Sequence, residues 1–291
     1  MAELQSLGCR VSVASVDVSD LAALGAVLQS IPSQAPLRGV IHAAGLVDDG
    51  VLAAQSPHRF SQVLGPKVAG AWNLHTLTSG TPLDFFVLFS SVAGLLGSAG
   101  QSNYAAANTF LDALSAHRRS LGLPSHSLAW GPWASGGMVS ELSDLQRSRL
   151  GRQGLGVLSP EVALTLLGRA LSRTEPVLAV VSLDLATVAR ASSASSGSVA
   201  PLWQSLLASR APSTPPSGSF PQGAWSSRLS SLPSHLRLDH VRSAVQSEIA
   251  RVLSLSPPSS VPLHRPFSEL GLDSLMSIEL RNSLSKRVGK T

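Results

Sequence analysis

Phe85-Phe86-Val87-Leu88-Phe89 runs straight into the serine pair Ser90-Ser91, and thirteen positions after Ser91 comes Tyr104-Ala105-Ala106-Ala107-Asn108. An apolar run of this length bounded by polar residues predicts a buried strand, and the pattern from Ser102 to Leu121 predicts a helix. A strand that ends in hydroxyls and feeds a helix carrying a phenol is a unit of a parallel α/β sheet, whose sites lie at the carboxyl ends of its strands. Tyr104 is the only tyrosine in 291 residues, and Lys67 is the only lysine before Lys286. Phenol, hydroxyl and ammonium are the groups that protonate a carbonyl oxygen while a hydride reaches its carbon.

Outward from this stretch the alternation continues. Further β-type runs occupy Val11 to Val16, Gly39 to Ala43, Ser127 to Trp130 and Val177 to Val181. Helical patterns fill Ser19 to Ile31, Pro57 to Leu77 and Pro160 to Leu171, each long enough for a crossover. Ser91 and the turn Ala43-Ala44-Gly45 fall at carboxyl ends of strands. The expected fold class is therefore α/β with a parallel sheet over residues 1–190. Residues 191–236 are rich in Ser, Pro, Ala and Gly and read as a flexible linker. Over 237–291, Val241, Val245, Ile249, Val252 and Leu253 recur at helical spacing and a second helical run starts at Leu275, predicting a small, partial α-helical bundle.

Composition narrows the function classes. A hydrophobic content of 44% supports a real core. No apolar run reaches the length of a membrane span, and the N-terminus lacks a signal-peptide layout, so a cytoplasmic protein is expected. Cys9 is the only cysteine, which excludes an intramolecular disulfide and a multi-cysteine zinc site; a buried, inert thiol is expected. The formal charge of +5 comes from scattered arginines such as those of His117-Arg118-Arg119. Scattered charge reads as solvated helix surface, and no nucleic-acid partner is expected, because phosphate binding needs a clustered patch with stacking aromatics.

Taken singly, the polar candidates have plain structural readings. Tyr104 near a helix start is a core or boundary residue, Asp48-Asp49 closes a turn, and Ser274 after Asp273 is a helix N-cap. The combination reads differently. Tyr104 and Asn108 share a helix face four residues apart, Ser91 follows the preceding strand, and an ammonium from Lys67 would lower the phenol's pKa by stabilising phenolate.

These residues carry a family resemblance. His42-Ala43-Ala44-Gly45, Asp48-Asp49-Gly50, Pro66-Lys67, Phe89-Ser90-Ser91, Gly100 to Asn108 and Trp130-Gly131-Pro132-Trp133 resemble the ketoreductase domain of modular type I polyketide synthases, within the short-chain dehydrogenase/reductase superfamily. The resemblance implies a Rossmann-type sheet, NADPH as cofactor and reduction of a carrier-bound β-ketoacyl thioester to the β-hydroxyacyl form. In this reading Tyr104 protonates the ketone oxygen, Ser91 hydrogen-bonds it, and Lys67 with Asn108 tunes the phenol and relays protons. Asp17 and Val18 resemble the adenine-contacting pair, and Ala43, Ala44 and Gly45 the wall beside the nicotinamide ribose. Val47-Asp48-Asp49 is close to the motif of B-type stereochemistry, with Asp49 the stereocontrol residue, and Leu96 stands where A-type enzymes carry tryptophan. Residues 136–155 resemble a substrate lid.

Gly271-Leu272-Asp273-Ser274-Leu275-Met276, with Phe267, Leu270, Ile278, Glu279 and Leu280 in matching places, resembles an acyl carrier protein. The resemblance implies that a phosphopantetheinyl transferase attaches 4'-phosphopantetheine to Ser274, and that the partners are other polyketide synthase domains and modules.

The chain departs from the family in one respect that bears on chemistry. No G-x-G-x-x-G occurs in the sequence, although this turn receives the cofactor pyrophosphate. Against the family pattern Met1 stands in the helix before the third Rossmann strand. The sheet is thus expected to be incomplete, with an unpaired edge and uncovered apolar faces, the carrier is expected to lack its last helices, and a fragment of a longer synthase is expected. An inactive carrier or docking fragment is the alternative reading.

Overall fold

A computed structural model describes residues 2–134, 150–151, 154–194, 206–207, 224–253, 257–270, 272 and 274–288. The chain divides into two compact units, Met1–Trp133 with Leu158–Val181, and Ala134–Val157 with Ser182–Thr291.

In the first unit, strands β1 (Gly39–His42), β2 (Phe85–Ser91), β3 (His126–Trp130) and β4 (Val177–Val180) form one sheet in the order β1-β2-β3-β4. All neighbours are parallel, with Gly39 opposite Phe85, Ser91 opposite Trp130, and Trp130 opposite Val180. The intervening helices are α1 (Leu21–Gln29), α2 (Pro57–Leu64), α3 (Gly70–Thr78), α4 (Val92–Leu96), α5 (Ser102–Ser120) and α6 (Pro160–Leu171). Three starts follow ordinary capping chemistry. Asp20, Ser56 and Ser159 each accept a backbone N–H of the first turn, and Pro57 and Pro160 sit where a missing N–H costs nothing.

Alternation along β2 sends Phe86 and Leu88 to one face, where Leu24, Leu74, Leu111 and Leu114 of α1, α3 and α5 close over them. Val87 points the other way, to a cluster with Leu128, Trp130, Val180 and Ala163 and Ala170 of α6. Every residue of β3 is buried, as expected for a strand covered on both faces.

Two expectations fail on the β1 side of the sheet. Val11 to Val16 forms no strand, and Val13 is 75% exposed. A β-type run holds only against a neighbouring strand, and among the described residues β1 pairs with β2 alone. The Cys9 thiol beside it is exposed instead of buried, because no element covers it. A third expectation fails on α5. The Arg118 side chain is fully buried, its guanidinium 3.7 Å from the Phe86 ring centroid and donating toward Pro124 O and His75 Nδ1.

The second unit contains a two-residue antiparallel pairing of Leu155–Gly156 with Ser182–Leu183, and helices α7 (Ser234–Leu253) and α8 (Ser274–Val288). Ile249, Val252 and Leu253 of α7 pack with Met276 and Leu280 of α8 and with Val261 from the connecting loop. Buried Glu248 ties the two helices together. Its carboxylate accepts Arg251 Nε at 2.8 Å and Ser283 Oγ at 2.6 Å, and pairs with Arg287. A helix at Ala224–Ser231 lies inside the stretch that composition reads as linker. The expected lid lies for the most part outside the described residues, as do Gly271 and Asp273. Among the described residues no helix is long and apolar enough to cross a membrane.

Candidate active site

The site is built where β2 ends, α5 begins and a wide helical turn passes between them. Pro57 to Thr78 is one helical path whose middle, Gly65–Ala69, is wound as a π turn. Pro66 has no N–H to give and its ring crowds the carbonyl four residues back, so the regular ladder gives way there. Lys67 stands on this turn, 3% exposed, and its Nζ donates to Phe89 O of β2 at 2.9 Å. The ammonium lies 5.2 Å from the Tyr104 ring centroid. Tyr104, on the first turn of α5, is buried with Val63, Ala93 and Ala107.

Asn108 is fully buried one turn on. Its Nδ2 donates to Tyr104 O at 2.8 Å, while its Oδ1 is buried without a partner. Ser91 caps α4, accepting Ala93 N at 3.2 Å. Burial raises the phenol of Tyr104 above its ordinary value, opposed by side-chain hydrogen bonds from Asn108 and Ser91, and the charge of Asp49 raises it further. The structure thus brings Ser91, Lys67, Tyr104 and Asn108 together, but it corrects the expected electrostatics. Desolvation, and not the Lys67 charge, is the leading influence on the phenol, and it acts upward, so at neutral pH Tyr104 keeps its proton. The same burial lowers Lys67 to about 8, with Asp112 acting in the opposite direction. His42, at the end of β1, is lowered to about 4 by burial and by the Lys67 charge.

Asp48 and Asp49 have different surroundings. Arg59 of α2 donates from Nε to Asp48 Oδ2 at 2.7 Å and from Nη2 to Oδ1 at 2.5 Å, and also reaches Ala54 O and Asp49 O. Its hydrogen bonds hold the Asp48 carboxyl below the usual range. Asp49 instead receives Gln101 Nε2 at 3.0 Å on both oxygens, and desolvation raises its carboxyl. Asn103 Nδ2 donates to Asp48 O, and Gly50 N to Gly100 O, a glycine at φ +81 that only this residue type occupies without strain. The loop after β1 is thereby fastened to the start of α5. Arg59 and Gln101 were not legible as partners in the sequence, since both contacts are long-range; only Gln101's place beside the tyrosine run marked it.

Ala43, Ala44 and Gly45 form the turn at the carboxyl end of β1. A Cβ on Gly45 would come within 2.8 Å of Lys67 Cε, so the turn and the ammonium are in direct contact. Asp17 is exposed and closes its own turn by accepting Ser19 N at 2.8 Å and Ser19 Oγ at 2.7 Å. Val18 packs against Gly70, where an added Cβ would meet it at 2.6 Å. Ser274 is the first residue of α8. Among the described residues no group of His, Cys, Asp and Glu is placed to hold a metal ion.

Comparison with known proteins agrees with this layout. Residues 1–135 match the KR domain family and residues 243–291 match the phosphopantetheine attachment site family. The spectinabilin polyketide synthase system protein NorB of Streptomyces orinoci is 43% identical over 99% of this chain, which spans 13% of that protein. The pikromycin polyketide synthase component PikAII of Streptomyces venezuelae is 43% identical and the mycoketide-CoA synthase of Mycobacterium tuberculosis 41%; the chain spans 8% and 7% of them. Among solved structures, A-type ketoreductases from a modular polyketide synthase share 43% identity over 65% of this chain and 40% of theirs, with a TM-score of 0.62. The first ketoreductase of the tylosin synthase gives a TM-score of 0.60 at 43% identity, over 66% of this chain and 41% of that one. With a Rossmann-like sheet carrying the tyrosine site, and a helical unit opening on Ser274, the chain is a KR domain region followed by a phosphopantetheine-binding carrier region, homologous to modular polyketide synthase proteins.

Proposed function

We propose that residues 1–190 carry the ketone-reducing site of an NADPH-dependent β-ketoacyl reductase, and that residues 237–291 carry its substrate on Ser274 through 4'-phosphopantetheine. The observation that carries this reading is the buried Tyr104, kept protonated by its surroundings and flanked by Ser91, Asn108 and the Lys67 ammonium. Residues 191–236 tether the carrier so that a thioester can visit Tyr104 at high effective concentration. Other synthase domains, a phosphopantetheinyl transferase and a cytoplasmic setting go with it.

The residues present fit the nicotinamide end of NADPH. The Ala43-Ala44-Gly45 turn follows β1 and packs against the Lys67 side chain, and the orphaned Asn108 Oδ1 beside Tyr104 awaits a donor. Asp17 and Val18 would meet the adenine. NADPH, when bound, supplies the hydride. Tyr104 gives its phenolic proton to the ketone oxygen, and Ser91 donates a hydrogen bond to the same oxygen. Lys67 and Asn108 then return a proton to the phenolate. Asp49, held by Gln101, guides the thioester for B-type addition.

Replacing Tyr104 by phenylalanine in the synthase that contains this chain is expected to lower the rate of β-ketothioester reduction by ~10²-fold or more. Ser274 should remain modifiable, and Ser274→Ala should abolish modification by mass spectrometry. Undiminished reduction by Tyr104→Phe refutes the proton donor.

A second reading has its own observation, the lack of G-x-G-x-x-G in the sequence. There the 291-residue chain is a carrier or docking fragment without reductase activity. Titration of the purified chain with NADPH decides between them: saturable binding supports the enzyme, and a folded chain that binds none supports the carrier fragment.

A further inference from the structure

The first turn of α5 has no ordinary cap. Gln101 precedes it without a side-chain bond to the helix, and the N–H of Tyr104, third residue of α5, lies where a helix offers no carbonyl of its own. Asn103 meets that need from within the turn, its Oδ1 accepting Tyr104 N at 2.8 Å. The Nδ2 of the same amide donates the other way, to Asp48 O at 3.0 Å in the loop after β1. Asn103 is 0% exposed. Asp48 is gripped a second time, from α2. Its carboxylate receives Arg59 Nε at 2.7 Å and Nη2 at 2.5 Å, and the guanidinium also reaches Asp49 O and Ala54 O. One turn along α2 from Arg59, Val63 belongs to the cluster that buries Tyr104. The contacts thus close a circuit, from α2 to Asp48, from Asp48 through Asn103 to the main chain of Tyr104, and from the Tyr104 side chain back to α2. Two other ties of the loop, Gly50 N to Gly100 O and the Asp49 carboxylate to Gln101 Nε2, end ahead of the helix.

We propose that Asn103 is a positioning residue of the ketone-reducing site, whose amide fixes the Asp48-Asp49 loop to the main chain of Tyr104 so that the proton donor and the residue guiding the thioester keep one spacing. This rests on the reductase reading of the site. Arg59 anchors the same relay from α2, and both side chains act through Asp48. The residue type at 103 follows from the two bonds, since an amide donates and accepts at once. Aspartate there would keep an acceptor for Tyr104 N but turn a second acceptor on Asp48 O, and alanine would keep the helix while losing both bonds. Asp48 and Asn103 are 55 residues apart in the chain, so the coupling is a property of the fold and not of the tyrosine run alone.

The test uses the single tyrosine. Tyrosine labelled with ¹³C at Cζ gives the purified chain one resonance, that of Tyr104, read without NADPH. In Asn103→Ala the resonance is expected to move. In Arg59→Met, which cuts the relay one step earlier at a side chain 25% exposed, it should move in the same direction by less. The double variant should stand where Asn103→Ala alone stands, because both substitutions break one path. An unmoved resonance in folded Asn103→Ala overturns the relay, and so do displacements that simply add in the double variant. Should Asn103→Ala fail to fold, Arg59→Met is read by itself, and an unmoved resonance there overturns the relay equally. In the synthase that contains this chain, Asn103→Ala is expected to lower kcat on a soluble β-ketothioester about tenfold with KM for NADPH unchanged; an intact kcat overturns the positioning role. The reductase reading is judged separately, on the wild-type synthase: if it reduces no β-ketothioester, that reading falls with the role in reduction, while the tie between loop and tyrosine is still decided by the resonance.

Discussion

Gly45→Ala tests the geometry around Lys67. Gly45 does not occupy the left-handed region, so alanine is compatible with its backbone. The added Cβ would stand 2.8 Å from Lys67 Cε and 3.4 Å from Nζ. Carbon atoms rest at about 3.5–4.0 Å, so Cε must retreat by roughly 0.7–1.2 Å. The end of a lysine side chain moves easily, but Lys67 is buried and its bond to Phe89 O is strained by the move, so a cost in stability of roughly 1–3 kcal/mol is expected. The cost in function falls on the rate. A shift of that size lengthens the 2.9 Å bond from Nζ to Phe89 O beyond hydrogen-bonding range and takes the ammonium away from Tyr104. Misplacement by about 1 Å at a reacting centre lowers rates by roughly 10²-fold. The assay is reduction of a soluble β-ketothioester at saturating NADPH by the synthase carrying the substitution, alongside thermal unfolding. A fall in kcat is expected, measured at a temperature where the variant is still fully folded, with only a modest fall in Tm. A loss confined to KM for NADPH, with kcat intact, would refute it, because the methyl would then be obstructing the cofactor and not Lys67.

Two further predictions concern pH. His42 is buried with its pKa lowered to about 4 from 6.5. A base whose folded pKa is depressed contributes stability fully present above 6.5 and lost as pH falls toward 4. Urea unfolding at pH 5 should give the first unit about 2 kcal/mol less stability than at pH 7.5, and His42→Asn should flatten that slope; an equal slope in the variant counts against the assignment. In the carrier region, burial raises Glu248, but Ser283, Arg251 and Arg287 together leave it below its ordinary value. Its contribution is present above the unfolded carboxylate pKa and fades as pH drops through the folded one. Both arginines are near half-exposed, so Glu248→Gln should cost roughly 1–3 kcal/mol, read as faster amide exchange along Ser234–Leu253 and Ser274–Val288.

Sequence periodicity located the sheet because its central strands are buried on both faces and its helices carry one apolar stripe. The helix expected from Ser102 to Leu121 runs Ser102–Ser120, and the strand expected over Phe85 to Phe89 extends two residues to include the serine pair. Val11 to Val16 misled for a physical reason: β-propensity describes a side chain's fit to a neighbouring strand, and no neighbour is present among the described residues. Arg118 misled because its burial depends on Phe86 and His75, 32 and 43 residues away in the chain. Ser91, Lys67, Tyr104 and Asn108 were legible as candidate chemical types, and the structure places these four near one another. The electrostatics of the site were not legible, since desolvation of Tyr104 and Lys67 is a property of the packed core and leaves no local mark in the sequence.

The π turn at Gly65–Ala69 also bears on which length changes this chain can tolerate. A turn widened by one residue absorbs that residue. Five residues wound this way advance the chain through about the same rotation as four residues of α-helix, so removing one would let the path from Pro57 to Thr78 run as an ordinary α-helix with its two halves still in phase. The leading half is keyed to the tyrosine cluster through Val63, and the trailing half to the sheet through Ala71 and Leu74. Both keys survive that deletion, whereas the same loss from the regular turns on either side would rotate one half against the other by about 100°. Length variation along this path is therefore open at Gly65–Ala69 and closed beside it.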